Sequence, residues 1–276
     1  MPVRAEHDRD ALAALLRRDP VLHAYQLGDL DDFFWPYTSW FRRGDQVALL
    51  YHGVTPPVLL AFAAPDDLPE LAALLADLAP MLPTRVYAHL SPGLLEVLGR
   101  WFAVEPGGGA HHRMALTDPA RLATVTPVGD VLGRADFPAL RALYAAAYPG
   151  NWFDPRMLDT GQYVGIRHGG DLVAVAGVHV YSPTYRVAAL GNVTTHPRVR
   201  GRGHAAAAVA ALCARLRPHV DHVTLNVKAD NTAAVRLYER LGFTRVADFG
   251  EHPLTAFDRA RKSAMSSHHA GSTTRP

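Results

Sequence analysis

The sequence predicts an α+β protein, with a mixed, mostly antiparallel sheet flanked by helices and two halves of similar layout. Three observations carry that prediction. An apolar strand, Val187–Val193, runs through Pro197 into Arg198-Val199-Arg200-Gly201-Arg202-Gly203 and then into an alanine-rich helix. Ahead of it, short apolar runs near Tyr163–Arg167, Leu172–Val180 and Arg186–Val193 read as antiparallel strands, the first two joined by the turn His168-Gly169-Gly170-Asp171. At coarser resolution the first half shows the same alternation of helices and strands.

Taken in order, helix Arg9–Arg17 opens the chain, followed by strands near Val47–Tyr51 and Val58–Phe62. Helix Pro69–Leu82, strand Arg85–Leu90, helix Gly93–Trp101 and strand His111–Leu116 complete this half. The Gly-rich stretch Pro106–Gly109 precedes its last strand, and a break falls near Thr117–Thr126. A new unit starts with helix Asp136–Tyr148, where Phe137, Leu140, Leu143, Tyr144 and Ala147 recur at helical spacing. After the three antiparallel strands come helix Ala205–Arg217, strand His222–Val227, helix Thr232–Leu241 and a terminal strand pair. The expected domains are therefore 1–125 and 126–260, with a polar, small-residue tail over 261–276 expected to be disordered.

Two glycines two apart at a strand-to-helix turn let the backbone approach a ligand, since no Cβ intervenes. The helix start adds unpaired N–H donors and the positive end of the dipole, and Arg198, Arg200 and Arg202 add full charge. A phosphate-bearing ligand follows. The nucleoside-triphosphate loop fails because no Lys follows the second glycine. Gly201, Gly203 and Ala206 formally satisfy the dinucleotide fingerprint, but too little chain remains for the further βαβ units, and strand Val223–Val227 ends in Lys228 with no acid at its tip.

Arg198-x-x-Gly201-x-Gly203 resembles the pyrophosphate loop of the GNAT superfamily of N-acetyltransferases, and Asn226–Phe243, NVKADNTAAVRLYERLGF, resembles its second block. The resemblance covers roughly residues 126–257 and implies the GNAT fold, acetyl-CoA as co-substrate and acyl transfer to an amine. It extends to a tandem arrangement, as in glycine N-acyltransferase-like members, with a degenerate first half. In that half, Ala64-Pro65-Asp66-Asp67 stands where a cofactor loop would be, and its charge would repel a pyrophosphate. An independent α+β cap is the other reading of this half.

By the same resemblance, Arg198, Arg200, Gly201, Arg202, Gly203 and His204 bind the cofactor, with Val193 and Thr195 contributing main-chain contacts. A backbone N–H near Asn192 or Val193 would face the thioester oxygen. Tyr238 matches the general acid that protonates the departing thiolate, and otherwise reads as a buried aromatic. Asn231 matches a cofactor contact and is equally an ordinary helix N-cap. The chain departs from the pattern at the general base. Strand Val187–Val193 carries no carboxylate, so the nearest candidates are His179 and Tyr181. His179 has a suitable ordinary pKa, although a lone strand-end histidine also fits a structural role.

Acceptor specificity is expected from the loop Tyr148–Tyr163, which carries Asn151, Trp152, Phe153 and Met157; docking of the two halves is the competing role. The run Phe33, Phe34, Trp35, Tyr37, Trp40, Phe41 is expected in a domain interface, and Asp31-Asp32 in a solvated turn. Cys213 falls on the apolar face of the glycine-loop helix and reads as core. His111-His112 and His268-His269 lack further ligands, so no metal is expected.

A formal net charge of +2 gives no reason to expect a nucleic-acid or membrane partner, and a single cysteine excludes a disulfide framework. The charged start and the lack of a long apolar run lead to the expectation of a cytoplasmic protein. The expected acceptor is a small-molecule amine or amino acid, ahead of a protein N-terminus or lysine. A non-catalytic acyl-CoA-binding or sensing module is the alternative from another class. Monomer and homodimer both remain open.

Overall fold

The computed structural model describes residues 2–151 and 153–257, so Trp152, the expected disordered tail and His268-His269 lie outside the described residues. The first half runs β1 (Arg4–Ala5), α1 (Arg9–Leu16), α2 (Ala24–Asp29), β2 (Thr38–Arg43), β3 (Gln46–Tyr51) and β4 (Val58–Ala61). It continues with α3 (Leu68–Leu78), β5 (Arg85–Leu90), α4 (Leu95–Leu98), β6 (Phe102–Val104) and β7 (Gly109–Leu116). The second half runs β8 (Asp130–Val131), α5 (Phe137–Ala147), a 3₁₀ segment Pro155–Thr160, β9 (Val164–His168), β10 (Asp171–Ser182) and β11 (Val187–Thr195). Then come α6 (His204–Leu216), β12 (His222–Lys228), α7 (Thr232–Arg240) and β13 (Phe243–Ala256).

The pairing repeats as well as the order. Strands β2, β3 and β4 are antiparallel neighbours, and β4 then pairs parallel with β5 across helix α3. Strands β9, β10 and β11 repeat this, with β11 parallel to β12 across α6. This is the mixed, mostly antiparallel sheet that the sequence predicts. The last strands are exchanged: β7, which ends the first half, pairs with β12, while the far part of β13 pairs with β5.

Because of that exchange the compact units are not contiguous in sequence. One holds residues 2–7, 37–109 and 249–257, and the other holds 8–36 and 110–248. The sequence boundary put residues 1–125 together, whereas α1 and α2 belong to the second unit. Gly28 of α2 packs on β10, where an added Cβ would come within 2.7 Å of Val180 Cβ. Arg113 on β7, 1% exposed, donates through Nη1 to the Leu22 carbonyl and through Nε to Asn226 Oδ1 at 3.2 Å.

Local rules place most element ends. Asp8 caps α1 by accepting from Ala11 N at 3.0 Å, and Asn231 caps α7 by accepting from Ala234 N at 3.2 Å. Helix α6 buries Ala208, Val209, Leu212, Cys213 and Leu216 in the core of the second unit. Helix α3 buries Leu71, Leu74, Leu75 and Leu78 in that of the first. Three expectations are corrected. The helix expected at Gly93–Trp101 is one short turn. The terminal strand pair is the single strand β13. Between α1 and β3, which the sequence left without elements, stand helix α2, ahead of the aromatic run, and strand β2 within it.

Candidate active site

The parallel pair β11–β12 comes apart at one end. Its register runs from Val187↔His222 to Leu190↔Leu225. Beyond that point β11 stays on β10 as far as Thr195↔Ala174, and β12 stays on β7 as far as Lys228↔His111. Both strands therefore continue, each held by its outer neighbour, with facing edges that no longer pair with one another. Unpaired strand edges are a ready template for another extended chain. Here the edge belongs to residues 191–195, which include Val193 and Thr195.

A bulge sits at the mouth of this opening. The register changes between Val175↔Thr194 and Gly177↔Gly191, so Asn192 and Val193 together oppose Ala176. Asn192 takes a φ of 55°, which few residues other than glycine adopt. Side chains hold it there. Tyr144 donates to the Asn192 carbonyl at 3.3 Å, Asn151 Nδ2 to its Oδ1 at 3.3 Å, and Asn192 Nδ2 to the Tyr163 hydroxyl at 3.1 Å. Tyr163 in turn donates to the Val178 carbonyl at 3.0 Å, and its ring occupies the space above Gly177. Burial raises the pKa of both phenols well above the ordinary range, so both remain neutral donors.

The glycine loop begins where β11 ends. Gly201 and Gly203 have φ of 77° and 82°, and space above both is open, with nothing within 4 Å of an added Cβ. Glycine is required by the turn and leaves the backbone approachable. Gly203 is the N-cap residue of α6, so the first-turn N–H groups of His204 and its neighbours lack intrahelical acceptors. Arg198 and Arg202 are exposed beside the loop. Arg200 is engaged differently, donating through Nε to the Thr195 carbonyl and through Nη2 to the Ala147 carbonyl, both at 3.1 Å. It ties the loop to the end of α5. Thr195 Oγ1 is buried with no hydrogen-bond partner among the described residues.

Tyr238 lies on α7, 7% exposed, edge-on to Phe243 at 5.8 Å. Burial first, then Tyr148 and Cys213 nearby, hold its phenol protonated well above the usual range. Cys213 is fully buried and its thiol is pushed up to about 12, so it is inert core, as its place on the apolar face predicts. After α5 a surface hollow of about 300 Å³ is lined by Phe137, Arg141, Tyr144, Tyr148, Asn151 and Phe153. Two of these residues, Tyr144 and Asn151, also hold Asn192, so the hollow adjoins the bulge. Within the expected acceptor loop, Met157 is 2% exposed and Phe153 packs on Tyr144 at 5.3 Å and on Tyr163 at 5.7 Å, so these two build the wall from behind.

His179 is the extra residue of a second irregularity, between Val178↔Leu190 and Val180↔Ala189. Its imidazole lies against Gly191, where any Cβ would collide with the ring, and 6.3 Å from the ring of Tyr25 on α2. That puts it one residue from Asn192. Tyr181 sits further along, opposite Ala188 and away from the open end. The sequence missed the Tyr163–Asn192 pair, although an Asn inside an apolar strand was the available signal. It also missed Tyr25, whose helix comes from the other half of the chain.

Other candidates resolve into structure. Asp31 accepts from Ser182 Oγ at 2.7 Å, which corrects the solvated turn expected for it, whereas Asp32 is exposed. In the aromatic run, Phe34 and Trp40 are each 2% exposed, in different units, and Tyr37 is 38% exposed. His112 Nδ1 lies 2.7 Å from Asp248 Oδ1. Among the described residues no group of three or more His, Cys, Asp or Glu is arranged to hold a metal, and no helix is long and apolar enough to cross a membrane.

Residues 134–243 match the acetyltransferase (GNAT) family, and the matched stretch contains the opening, the bulge, the glycine loop and Tyr238. The chain has the GNAT fold, and the family match is confined to this region of it. A GNAT-family structure from Novosphingobium aromaticivorans DSM 12444 is 27% identical, covering 72% of this chain and 84% of that one, at a TM-score of 0.53. Two more distant structures share the fold over nearly the whole chain. A Drosophila protein has 16% identity and a TM-score of 0.67, and covers 92% of this chain and 98% of that one. A tandem GNAT protein of the clavulanic acid biosynthesis pathway has 16% identity, a TM-score of 0.56 and the same coverages of 92% and 98%. No curated protein sequence matches the chain significantly.

Proposed function

We propose that this chain is an N-acetyltransferase that uses acetyl-CoA to acylate the primary amine of a small molecule or amino acid, by direct attack within a ternary complex. The observation that carries this reading is the opening between β11 and β12, with a bulge at its mouth and a cationic glycine loop at its end. The orphaned Thr195 Oγ1 and the open space above Gly201 and Gly203 fit such a co-substrate.

When bound, acetyl-CoA supplies an acyl group already activated as a thioester, so the protein needs only to hold, orient and move protons. Gly201, Arg202, Gly203 and His204 would turn the loop and helix-start N–H groups toward the pyrophosphate, with Arg198 and Arg202 adding charge. The main chain of Val193 and Thr195 would pair with the pantetheine arm, as an added strand pairs with an edge. Fixed by the bulge, an N–H at Asn192 or Val193 would face the thioester oxygen. Tyr238, kept neutral by burial, would give its proton to the departing thiolate. His179, beside Gly191, would accept the amine proton. Asn231 would meet the cofactor at the start of α7 while capping that helix.

In this reading the catalytic domain expected over residues 126–260 corresponds to the unit of residues 8–36 and 110–248, and the other unit descends from a second copy that no longer binds cofactor. The lack of a carboxylate on β11 favours one alternative, a non-catalytic acyl-CoA sensor. Calorimetric titration with acetyl-CoA, with NADH as control, is the first test. Micromolar binding of acetyl-CoA supports the reading, and affinity for NADH alone overturns it. Acetyl-CoA binding without turnover on any amine would favour the sensor, whereas turnover lost in a Tyr238→Phe variant that still binds coenzyme A supports catalysis.

A further inference from the structure

We infer that the acceptor carries a carboxylate, seated on Arg141 in the hollow after α5. This deepens the acetyltransferase reading and rests on it. The hollow adjoins the proposed reaction centre on two sides. Its inner wall, Tyr144 and Asn151, hydrogen-bonds Asn192 at the bulge, and Tyr148 stands near enough to Tyr238 to help hold that phenol protonated. A molecule lodged there would lie between the residue that fixes the oxyanion donor and the neighbourhood of the general acid.

The charge in the hollow is one-sided. Among the described residues that line it, Arg141 is the one cation and none is a carboxylate. Nearby acids are already engaged. Asp154 binds its neighbour Arg156, with Nε at 2.8 Å from Oδ2, and Asp159 binds Arg134. Arg141 has no carboxylate partner among the described residues, and its guanidinium stands 5.7 Å from the centre of the Phe137 ring. Stacking on an aromatic face orients a guanidinium and leaves its N–H fork available for two parallel bonds to a carboxylate. The rest of the lining is flat and largely apolar, through Phe137, Tyr148 and Phe153, with Asn151 as a neutral polar group. At about 300 Å³ the space suits a molecule of amino-acid size. An amine with no anionic group would leave the arginine unanswered.

The test uses the full chain loaded with coenzyme A, titrated by calorimetry with L-phenylalanine, L-leucine, their carboxamides and an aminoalkyl phosphate. The acids are expected to bind at least tenfold more tightly than the matched amides. Arg141→Ala should erase that difference while leaving acetyl-CoA affinity and Tm unchanged, and Arg141→Lys should restore part of it. Equal binding of acids and amides, absence of amine binding, or preference for the phosphate overturns the inference. So does an Arg141→Ala variant that weakens acetyl-CoA instead, since Arg141 would then serve the cofactor. Acetyl-CoA affinity measured on the same samples separates the two readings. Its absence removes the acetyltransferase reading, whereas its presence without acid preference removes this inference alone.

Discussion

The two parallel strand pairs of this chain have the same topology and opposite ends. Strands β4 and β5 stay paired to Ala61↔Leu90, and beyond that Ser91 closes them further. Its N–H donates to the Ala61 carbonyl at 3.0 Å, and its hydroxyl accepts from Ala63 N at 3.1 Å. Strands β11 and β12 stop pairing at Leu190↔Leu225 and open. After β4 the chain turns through Pro65-Asp66-Asp67, an acidic 3₁₀ turn. After β11 it turns through glycines at positive φ flanked by arginines. The proposed cofactor site is thus a ladder left unfinished, with side chains holding its open end. In the first half the matching ladder is closed and the turn after it is acidic.

The largest expected break in the comparison is Gly203→Glu. It places a side chain at φ 82° and an anion where the pyrophosphate should sit, which gives the second loop the character of the first. Calorimetry should show acetyl-CoA affinity falling more than about 100-fold, by strain and like-charge repulsion together. Next is Tyr238→Phe, with kcat lowered about 100-fold and acetyl-CoA affinity retained, in line with the loss of one proton donor. Because burial raises this phenol, the high-pH loss of kcat in the parent protein should lie above the ordinary tyrosine range near pH 10, and a pH–rate profile checks it.

Smaller still is Asn192→Ala, which removes the hydrogen bonds that hold the bulge and leaves a strained φ. Thermal or urea unfolding should show a loss of about 1–3 kcal/mol, with kcat falling more than acetyl-CoA affinity. The smallest functional effect belongs to Ser91→Ala in the closed pair. It should cost about 1–2 kcal/mol in unfolding, because a buried N–H loses its acceptor, and leave acetyl-CoA affinity unchanged. A Ser91→Ala variant that altered acetyl-CoA affinity would mean the first half takes part in binding after all.

Local chemistry is what made the second half readable. Glycines needed for positive φ, arginines beside a helix start, an Asn before α7 and the periodic apolar faces of α5 and α6 all act within a few residues of themselves. Strand ends in this half came within one or two residues of their positions, and Cys213 was placed in the core by its helix face alone. The aromatic stretch failed because Phe33, Trp35 and Trp40 carry no clear period, so β2 went unseen, and α2 went unseen because its six residues, AYQLGD, are too few to show one. Arg200 looked like a phosphate ligand because charge is visible in sequence, whereas its partners, the carbonyls of Thr195 and Ala147, are not.

By itself the sequence determined the α+β order of the elements, the glycine loop with its charge, and the GNAT resemblance, since each depends on residue type at short range. Only the tertiary structure decided that β7 and β13 exchange partners, that β11 and β12 separate after Leu190, and that Asn192 and Tyr163 meet at one bulge while His179 occupies a second, against Gly191. Strand register and partner choice are set by packing between residues far apart in the chain, and a ladder that ends early leaves no trace in the residues that failed to pair.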